Sequence, residues 1–114
     1  MAAHVVPCCF VVDELVAYSA VDDKPKRTRS LRRLADVSAS GTATLLVDHY
    51  DEDWEQLWWV RAGGSARVLV DVGSVEHRRA VRLLLAKYPQ YLTHALDGPV
   101  LMIELSEWRS WSAG

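Results

Sequence analysis

Short apolar runs separated by turn residues constrain the fold of this 114-residue chain more than any other feature. Valine-rich and leucine-rich runs alternate with acidic or glycine pairs such as Asp13-Glu14, Asp22-Asp23 and Gly63-Gly64. Runs of this kind, rich in β-branched and aromatic residues, are typical of strands, and short turns join strands that pair antiparallel. The pattern therefore favours an antiparallel sheet or barrel with helices packed at its side.

Six strands and two helices are predicted, in the order β-β-α-β-β-β-α-β. Gly63-Gly64 indicates a two-residue hairpin turn, Pro25 suits the first turn of a helix, and Ser74 can cap the second helix. Uneven strand lengths favour a small irregular barrel over a sandwich, so we expect one mainly β (α+β) domain spanning residues 1–114. The predicted strands span 5–12, 15–21, 42–50, 54–62, 65–72 and 100–107, and the predicted helices span 26–35 and 75–87. In the second helix the residues expected to point inward are Val75, Val81, Leu84 and Leu85.

The amino-acid composition is that of a globular protein domain. Half of the residues are hydrophobic and a quarter are charged, which is ordinary for one globular core and too apolar for a disordered chain. The longest apolar run, Val5 to Val12, is far shorter than the roughly 20 residues that cross a bilayer. Cys8 and Cys9 have no second pair with which to form a disulfide framework, so we expect two core thiols in a reducing, cytoplasmic protein rather than metal ligands.

Charge is unevenly distributed along the chain. Residues 24–33 carry six positive charges and no negative one, while the other seven basic residues face fifteen acidic ones and sum to −8. Lys26 and Arg27 fall at the start of the predicted helix, where the helix dipole is already positive, and each such mismatch costs about 0.3–1 kcal/mol. Repeated violation of a local rule often marks a functional site, and a bound phosphate would resolve it.

Two other interpretations of residues 24–33 stay open. The segment is a solvated basic face, partly offset by Asp22 and Asp23, or it is a nucleic-acid patch. The net −8 of the remaining chain would repel a long polyanion, whereas a small phosphorylated ligand meets only the local field. We therefore expect a phosphorylated cofactor rather than nucleic acid.

Several runs, taken in order, resemble the flavin- and deazaflavin-binding split-barrel family, relatives of pyridoxamine 5′-phosphate oxidase, and most closely its actinobacterial F-420-dependent branch. The resemblance covers nearly the whole chain and lies in the order and spacing of the runs. These runs are His4-Val5-Val6-Pro7, Ser19 to Arg27, Leu31-Arg32-Arg33-Leu34, Leu46 to Tyr50, Asp53-Trp54, Leu57 to Arg61, Lys87 to Tyr91 and Gly98-Pro99-Val100.

The resemblance implies a split β-barrel that forms a homodimer, with a cofactor at the subunit interface and no nucleic-acid or membrane partner. It implies an F-420-dependent oxidoreductase that transfers a hydride between the deazaflavin and a small organic substrate; FMN is the alternative cofactor, and a non-catalytic cofactor carrier is the alternative function. Family members usually begin with a helix and a strand before the segment matching His4 to Pro7, and we expect both to be missing from this chain. The cofactor-binding residues that the resemblance implies are Lys24, Lys26, Arg27 and Arg29 for the phosphate, and Ser19, Ala20 and Val21 for the strand edge beside the ring.

No catalytic nucleophile or metal-ligand spacing is evident, so the cofactor would carry the chemistry. His49, Tyr50 and Tyr88 are candidate proton donors to the reduced substrate, and a strand position at a surface or interface is the alternative role for His49.

Trp58 and Trp59 are neighbours on one strand, so one is expected to face the core and the other the surface. Trp108 and Trp111 are candidates for contact with a partner subunit.

Overall fold

A computed structural model describes residues 5–20, 27–93 and 96–114, with the side chains of 27–33 left out of the description. Five strands, two α-helices and two short 3₁₀ turns make up the described chain. The strands are β1 (Val11–Asp13), β2 (Val16–Ala20), β3 (Thr42–His49), β4 (Trp58–Leu69) and β5 (Val100–Ser112). The helices are α1 (Arg27–Ser40) and α2 (Val75–Lys87), and the 3₁₀ turns are Trp54–Gln56 and Pro89–Thr93.

The five strands form one sheet in the order β1-β2-β5-β4-β3, and every neighbouring pair is antiparallel. This confirms the predicted mainly β, antiparallel architecture with two helices. β1 and β3 are the edges, and the described strands do not close into a barrel. The outer sides of β1 and β3 therefore have no hydrogen-bonded neighbour among the described strands. Proteins usually protect such edges against pairing with other chains.

The predicted hairpin at Gly63-Gly64 is wrong, because both glycines lie inside the continuous strand β4. Gly63 pairs with Glu107 and Gly64 with Leu105, so Ser106 is an extra residue on β5 and forms a bulge. Two adjacent glycines suit a tight turn and a close approach of two backbones equally well, and here they serve the second purpose. The two predicted strands 54–62 and 65–72 are therefore parts of one strand, β4, which is shorter at both ends, since Trp54–Gln56 forms a 3₁₀ turn and β4 ends at Leu69.

The ends of three other elements also differ from expectation. Only Val11–Asp13 of the predicted first strand is extended and paired, and β5 continues to Ser112, so that it includes Trp111. Helix α1 continues beyond its predicted end at residue 35 as far as Ser40. It ends where Gly41 adopts a φ of +69° and its N–H donates to the Val37 carbonyl at 2.7 Å. A left-handed glycine is a common helix stop.

Cys8 and Cys9 are not core residues: both are exposed free thiols. The expectation fails because the chain from Val5 to Phe10 runs beside the sheet as irregular structure instead of forming a central strand.

Two apolar clusters lie on opposite faces of the sheet. On one face Val37 of α1 packs with Ala62, Ile103 and Leu105. On the other, Ala80 of α2 packs with apolar residues of three strands, which are Tyr18, Leu69, Val100 and Met102. Each helix thus covers part of one face, and at about 25 cal/mol per Å² this burial is the main favourable contribution to folding.

Helix α2 confirms most of its prediction. Ser74 caps it by accepting from the His77 N–H, and the helix ends at Lys87. Val75 does not point inward and is 75% exposed. At 3.6 residues per turn it lies on the same face as Arg78 and Arg82, which is the solvent face. Among the described residues, no helix combines the length and apolar character needed to span a membrane.

Candidate functional site

The start of helix α1 coincides with the basic segment 24–33. The helix begins at Arg27, so Arg27 and Arg29 lie in its first turn, and that turn contains no acidic residue. The first N–H groups of a helix have no partner within the helix and favour an anion there. Arg27 and Arg29 thus lie at the start of the described part of α1, while Val21, Lys24 and Lys26 lie outside the described residues, and the phosphate site stays a prediction.

The two predicted ring-contacting residues that the structure describes, Ser19 and Ala20, end strand β2. β1 pairs with β2 only as far as Tyr18, so both residues lie beyond the end of β1 while still pairing with β5 on the other side. Ser19 is buried, and its hydroxyl donates to the Cys9 carbonyl at 2.7 Å. That hydroxyl therefore holds the 5–10 segment against β2 and leaves the backbone as the part of Ser19 that can meet a ligand.

Tyr88, a predicted proton donor, is engaged with the backbone of Phe10. Its hydroxyl accepts from the Phe10 N–H at 3.1 Å and donates to the Phe10 carbonyl at 2.9 Å. Lys87 donates to the same carbonyl at 2.6 Å, and its ammonium lies 4.3 Å from the centre of the Phe10 ring. The Tyr88 hydroxyl thus anchors the chain before β1 to the end of α2.

We expect Tyr88→Phe to reduce the free energy of unfolding by about 1–2 kcal/mol, because it leaves the Phe10 N–H without its partner. The loss should be concentrated before β1, so amide hydrogen exchange should accelerate at residues 8–13 more than in β4. Tyr50→Phe is the matched control, since Tyr50 is 72% exposed and should change neither measurement. Uniform exchange in Tyr88→Phe would contradict the anchoring role.

His49 and Tyr50, the other two candidate donors, lie far across the sheet from Tyr88. They are at the end of the edge strand β3, whereas Tyr88 contacts the segment leading into β1 at the opposite edge. His49 stacks on Trp58 with ring centres 6.0 Å apart, and its Nε2 is 3.7 Å from an Asp51 carboxylate oxygen. The structure therefore does not bring the three candidates into one site.

His77 is a buried polar residue that the sequence interpretation overlooked. It is 2% exposed; Nε2 lies 2.7 Å from the Gly98 carbonyl, and Nδ1 accepts a longer bond from the Gly73 N–H. Through these two contacts the His77 ring joins the loops on either side of α2. The sequence spacing of His77, Ala80 and Leu84 puts them on one face of the helix, and this spacing could have indicated that His77 is buried.

An ion pair also fastens the first hairpin to α2. Arg79 donates to the Asp13 carboxylate, and this hydrogen bond together with the charge of Asp13 raises the pKa of Arg79 above its usual value. The pair lies at the surface, so its contribution to stability is small.

Exposed aromatic side chains gather at one end of the sheet, where β3 and β5 end and β4 begins. We call this group the aromatic end; its members are Tyr50, Trp54, Trp58, Trp108 and Trp111, exposed by between 39% and 72%. Trp58 and Trp59 point to opposite faces as predicted, but Trp59 is half-buried beneath Arg61 rather than part of the core. The strand register places Trp58 and Trp108 on one face of the sheet and Trp111 with Trp59 on the other, so this end exposes aromatic surface on both faces. Exposed apolar patches often mark interaction surfaces.

The open edge of β5 adjoins the aromatic end. β2 pairs with β5 only between Val100 and Glu104, so the stretch 106–112 has β4 on one side and no described strand on the other. Unpaired strand edges are templates for adding another chain.

A cavity of about 430 Å³ lies on the β3-β4-β5 part of the sheet, and the sequence interpretation also overlooked it. We call it the arginine cavity; its lining residues are Thr44, Arg61, Gly63, Glu107, Trp108 and Arg109. The predicted turn at Gly63-Gly64 would end the strand at the position where β4 forms part of the cavity lining. The cavity could therefore not be predicted from the sequence. Within the described ranges, no group of three or more histidine, cysteine or carboxylate side chains is arranged to hold a metal ion.

Comparison with known proteins finds no matching family model and no matching curated protein.

Proposed function

We propose that this protein is an F-420-dependent oxidoreductase, similar to pyridoxamine 5′-phosphate oxidase, that transfers a hydride between the deazaflavin and a small organic substrate. The observation that carries the proposal is the coincidence of the basic segment with the start of α1. The ordered sequence resemblance to the split-barrel family supplies the identity of the cofactor.

The residues at the start of α1 fit a phosphate. Arg27 and Arg29 lie in the first turn of α1, where the leading N–H groups of a helix have no partner within the helix, and Lys24 and Lys26 immediately precede this turn in sequence. Guanidinium and peptide N–H groups are the usual donors to phosphate oxygens, and charge-assisted bonds of this type are about twice as strong as neutral ones. Ser19, Ala20 and Val21 would then present the backbone edge beside the ring.

When bound, the reduced deazaflavin supplies the hydride. The protein's part is to orient the ring and the substrate and to exclude water. Because Tyr88 is held by Phe10, we assign it a structural role; His49 and Tyr50, at the exposed end of β3, stay the candidates for protonating the reduced substrate. The free thiols of Cys8 and Cys9 fit a reducing compartment, and we propose that the protein is cytoplasmic.

We propose that the aromatic end and the open edge of β5 form the interface of a homodimer, which would complete a split barrel and place the cofactor between subunits. Tryptophan is among the residues most enriched at interfaces, and the exposed Trp108 and Trp111 belong to the strand whose edge is unpaired.

Replacing Trp108 and Trp111 together by glutamate is expected to convert the dimer into a monomer, because two charges would have to be buried in an apolar contact. Light scattering after size-exclusion chromatography measures the mass directly. Val75→Glu is the control, since Val75 is 75% exposed on α2, away from the aromatic end, and its replacement should leave the dimer intact. A native protein that is monomeric at all concentrations would contradict this part of the proposal.

Turnover separates the proposed enzyme from the two alternatives. Reduced F-420 mixed with the protein and a panel of activated alkenes, quinones and tetrapyrroles should regain the absorbance of the oxidised deazaflavin. Oxidation of reduced FMN instead would favour a flavin enzyme. Tight binding of F-420 without turnover across the panel would favour a cofactor carrier.

A further inference from the structure

Two arginines face each other across the β4–β5 pair. Arg61 and Arg109 are direct partners in the register, so their side chains leave the same face of the sheet. Like charges directly opposite on neighbouring strands destabilise a sheet. Both residues line the arginine cavity.

Neither guanidinium is neutralised by a described side chain. Arg67 forms an ion pair with Glu76 and Arg79 forms one with Asp13, whereas no described residue forms one with Arg61 or Arg109. Arg61 instead lies over the ring of Trp59, 5.7 Å from its centre, a contact that orients the guanidinium without cancelling its charge.

Gly63 allows β3 to approach β4 closely beside the arginines. It follows Arg61 on the same face of β4 and pairs with Thr44. A Cβ built at Gly63 would come within 2.6 Å of the Thr44 hydroxyl and 2.8 Å of the Ala43 carbonyl oxygen. The Thr44 hydroxyl, which also lines the cavity, adds a neutral hydrogen-bond donor beside the two charged ones.

We propose that the arginine cavity binds a small molecule through an oxyanion, either a carboxylate or a phosphate. Paired guanidiniums recognise these planar or tetrahedral anions through several parallel hydrogen bonds. A volume of about 430 Å³ suits a small organic ligand. Glu107 in the lining and the acidic remainder of the chain oppose a long polyanion, and Glu107 favours a ligand that carries a donor next to its oxyanion.

This site is separate from the proposed phosphate site at the start of α1, and the proposal stands whether or not F-420 binds. Arg61 and Arg109 come from two strands in the middle of the sheet, whereas Arg27 and Arg29 belong to α1. Substitutions can therefore assign an anion to one site or the other.

The experiment uses the native chain and two probes, inorganic phosphate and benzoate, in calorimetric titrations with tryptophan fluorescence as a second readout. Trp108 lines the cavity and Trp59 touches Arg61, so occupancy should change the emission. We expect saturable binding of at least one probe; saturation by benzoate alone would identify a carboxylate ligand, and saturation by phosphate alone a phosphate. Arg61→Gln and Arg109→Gln should each weaken binding at least tenfold, and Arg82→Gln, an exposed arginine of α2, should not.

Glu107→Gln should tighten binding of either probe a few-fold, because it removes a negative charge from the lining. Unchanged melting temperatures would show that the arginine variants are folded. Absence of saturable binding to the native chain would overturn the proposal. So would phosphate binding that survives both cavity substitutions and is lost in Arg27→Gln, since the anion would then occupy the start of α1.

Discussion

Replacing Gly64 by alanine is expected to destabilise the domain by about 3 kcal/mol or more, the upper part of the range for steric overpacking. A Cβ at Gly64 would overlap the carbonyl oxygen of Glu104 and approach the Ser106 hydroxyl to 2.8 Å. The overlapping atom is backbone, in the middle of the longest strand pair, so no side-chain rotation relieves it. The β4–β5 pairing would have to shift, and it carries both apolar clusters.

Urea unfolding followed by circular dichroism measures this loss, with Ser65→Ala as the matched control. Ser65 is the next residue of β4 and is exposed, so its hydroxyl should contribute little. A Gly64→Ala protein as stable as the native one would show that the bulge at Ser106 does not depend on a glycine.

The second large effect concerns the proposed cofactor site. The double substitution Lys26→Glu and Arg27→Glu is expected to weaken F-420 binding at least a hundredfold. Hydrogen bonds to charged groups contribute about 1.5–3 kcal/mol each, so losing two costs about 3–6 kcal/mol before any repulsion of the phosphate. Fluorescence titration with F-420 measures the dissociation constant.

The same double variant carries its own folding control. Acidic residues at a helix N-terminus are favourable by about 0.3–1 kcal/mol, so its melting temperature should equal or slightly exceed that of the native protein. Arg78→Glu with Arg82→Glu, on the exposed face of α2, makes the same change in net charge and should leave F-420 binding within a few-fold. Equal losses in both double variants would attribute the effect to the overall charge rather than to a site.

Secondary structure could be predicted correctly where a local sequence pattern is compatible with only one conformation. Helix α2 could be predicted from its period, from Ser74 at its start and from Lys87 at its end, and the structure agrees except that Val75 faces solvent. The position of Arg27 and Arg29 near the start of a helix could be predicted from Pro25, because nearby residues determine where a helix begins.

The sequence was misleading where a local signal had two solutions or the determinant was distant. Gly63-Gly64 fits a hairpin turn as well as a close strand contact, and only pairing with β5 distinguishes them. The last part of β5 is exposed on both faces, so its sequence lacks the alternation of apolar and polar residues that indicates a strand. A strand over 108–112 was therefore not predicted. The arginine cavity depends on the register of Arg61 with Arg109, and the Tyr88–Phe10 contact joins residues 78 positions apart.

Titration of the native protein with F-420, with a parallel titration using FMN, tests the central proposal most directly. We expect saturable quenching of F-420 fluorescence at one cofactor per chain, with a micromolar or tighter dissociation constant and weaker binding of FMN. No saturable change with either cofactor would contradict the proposed function.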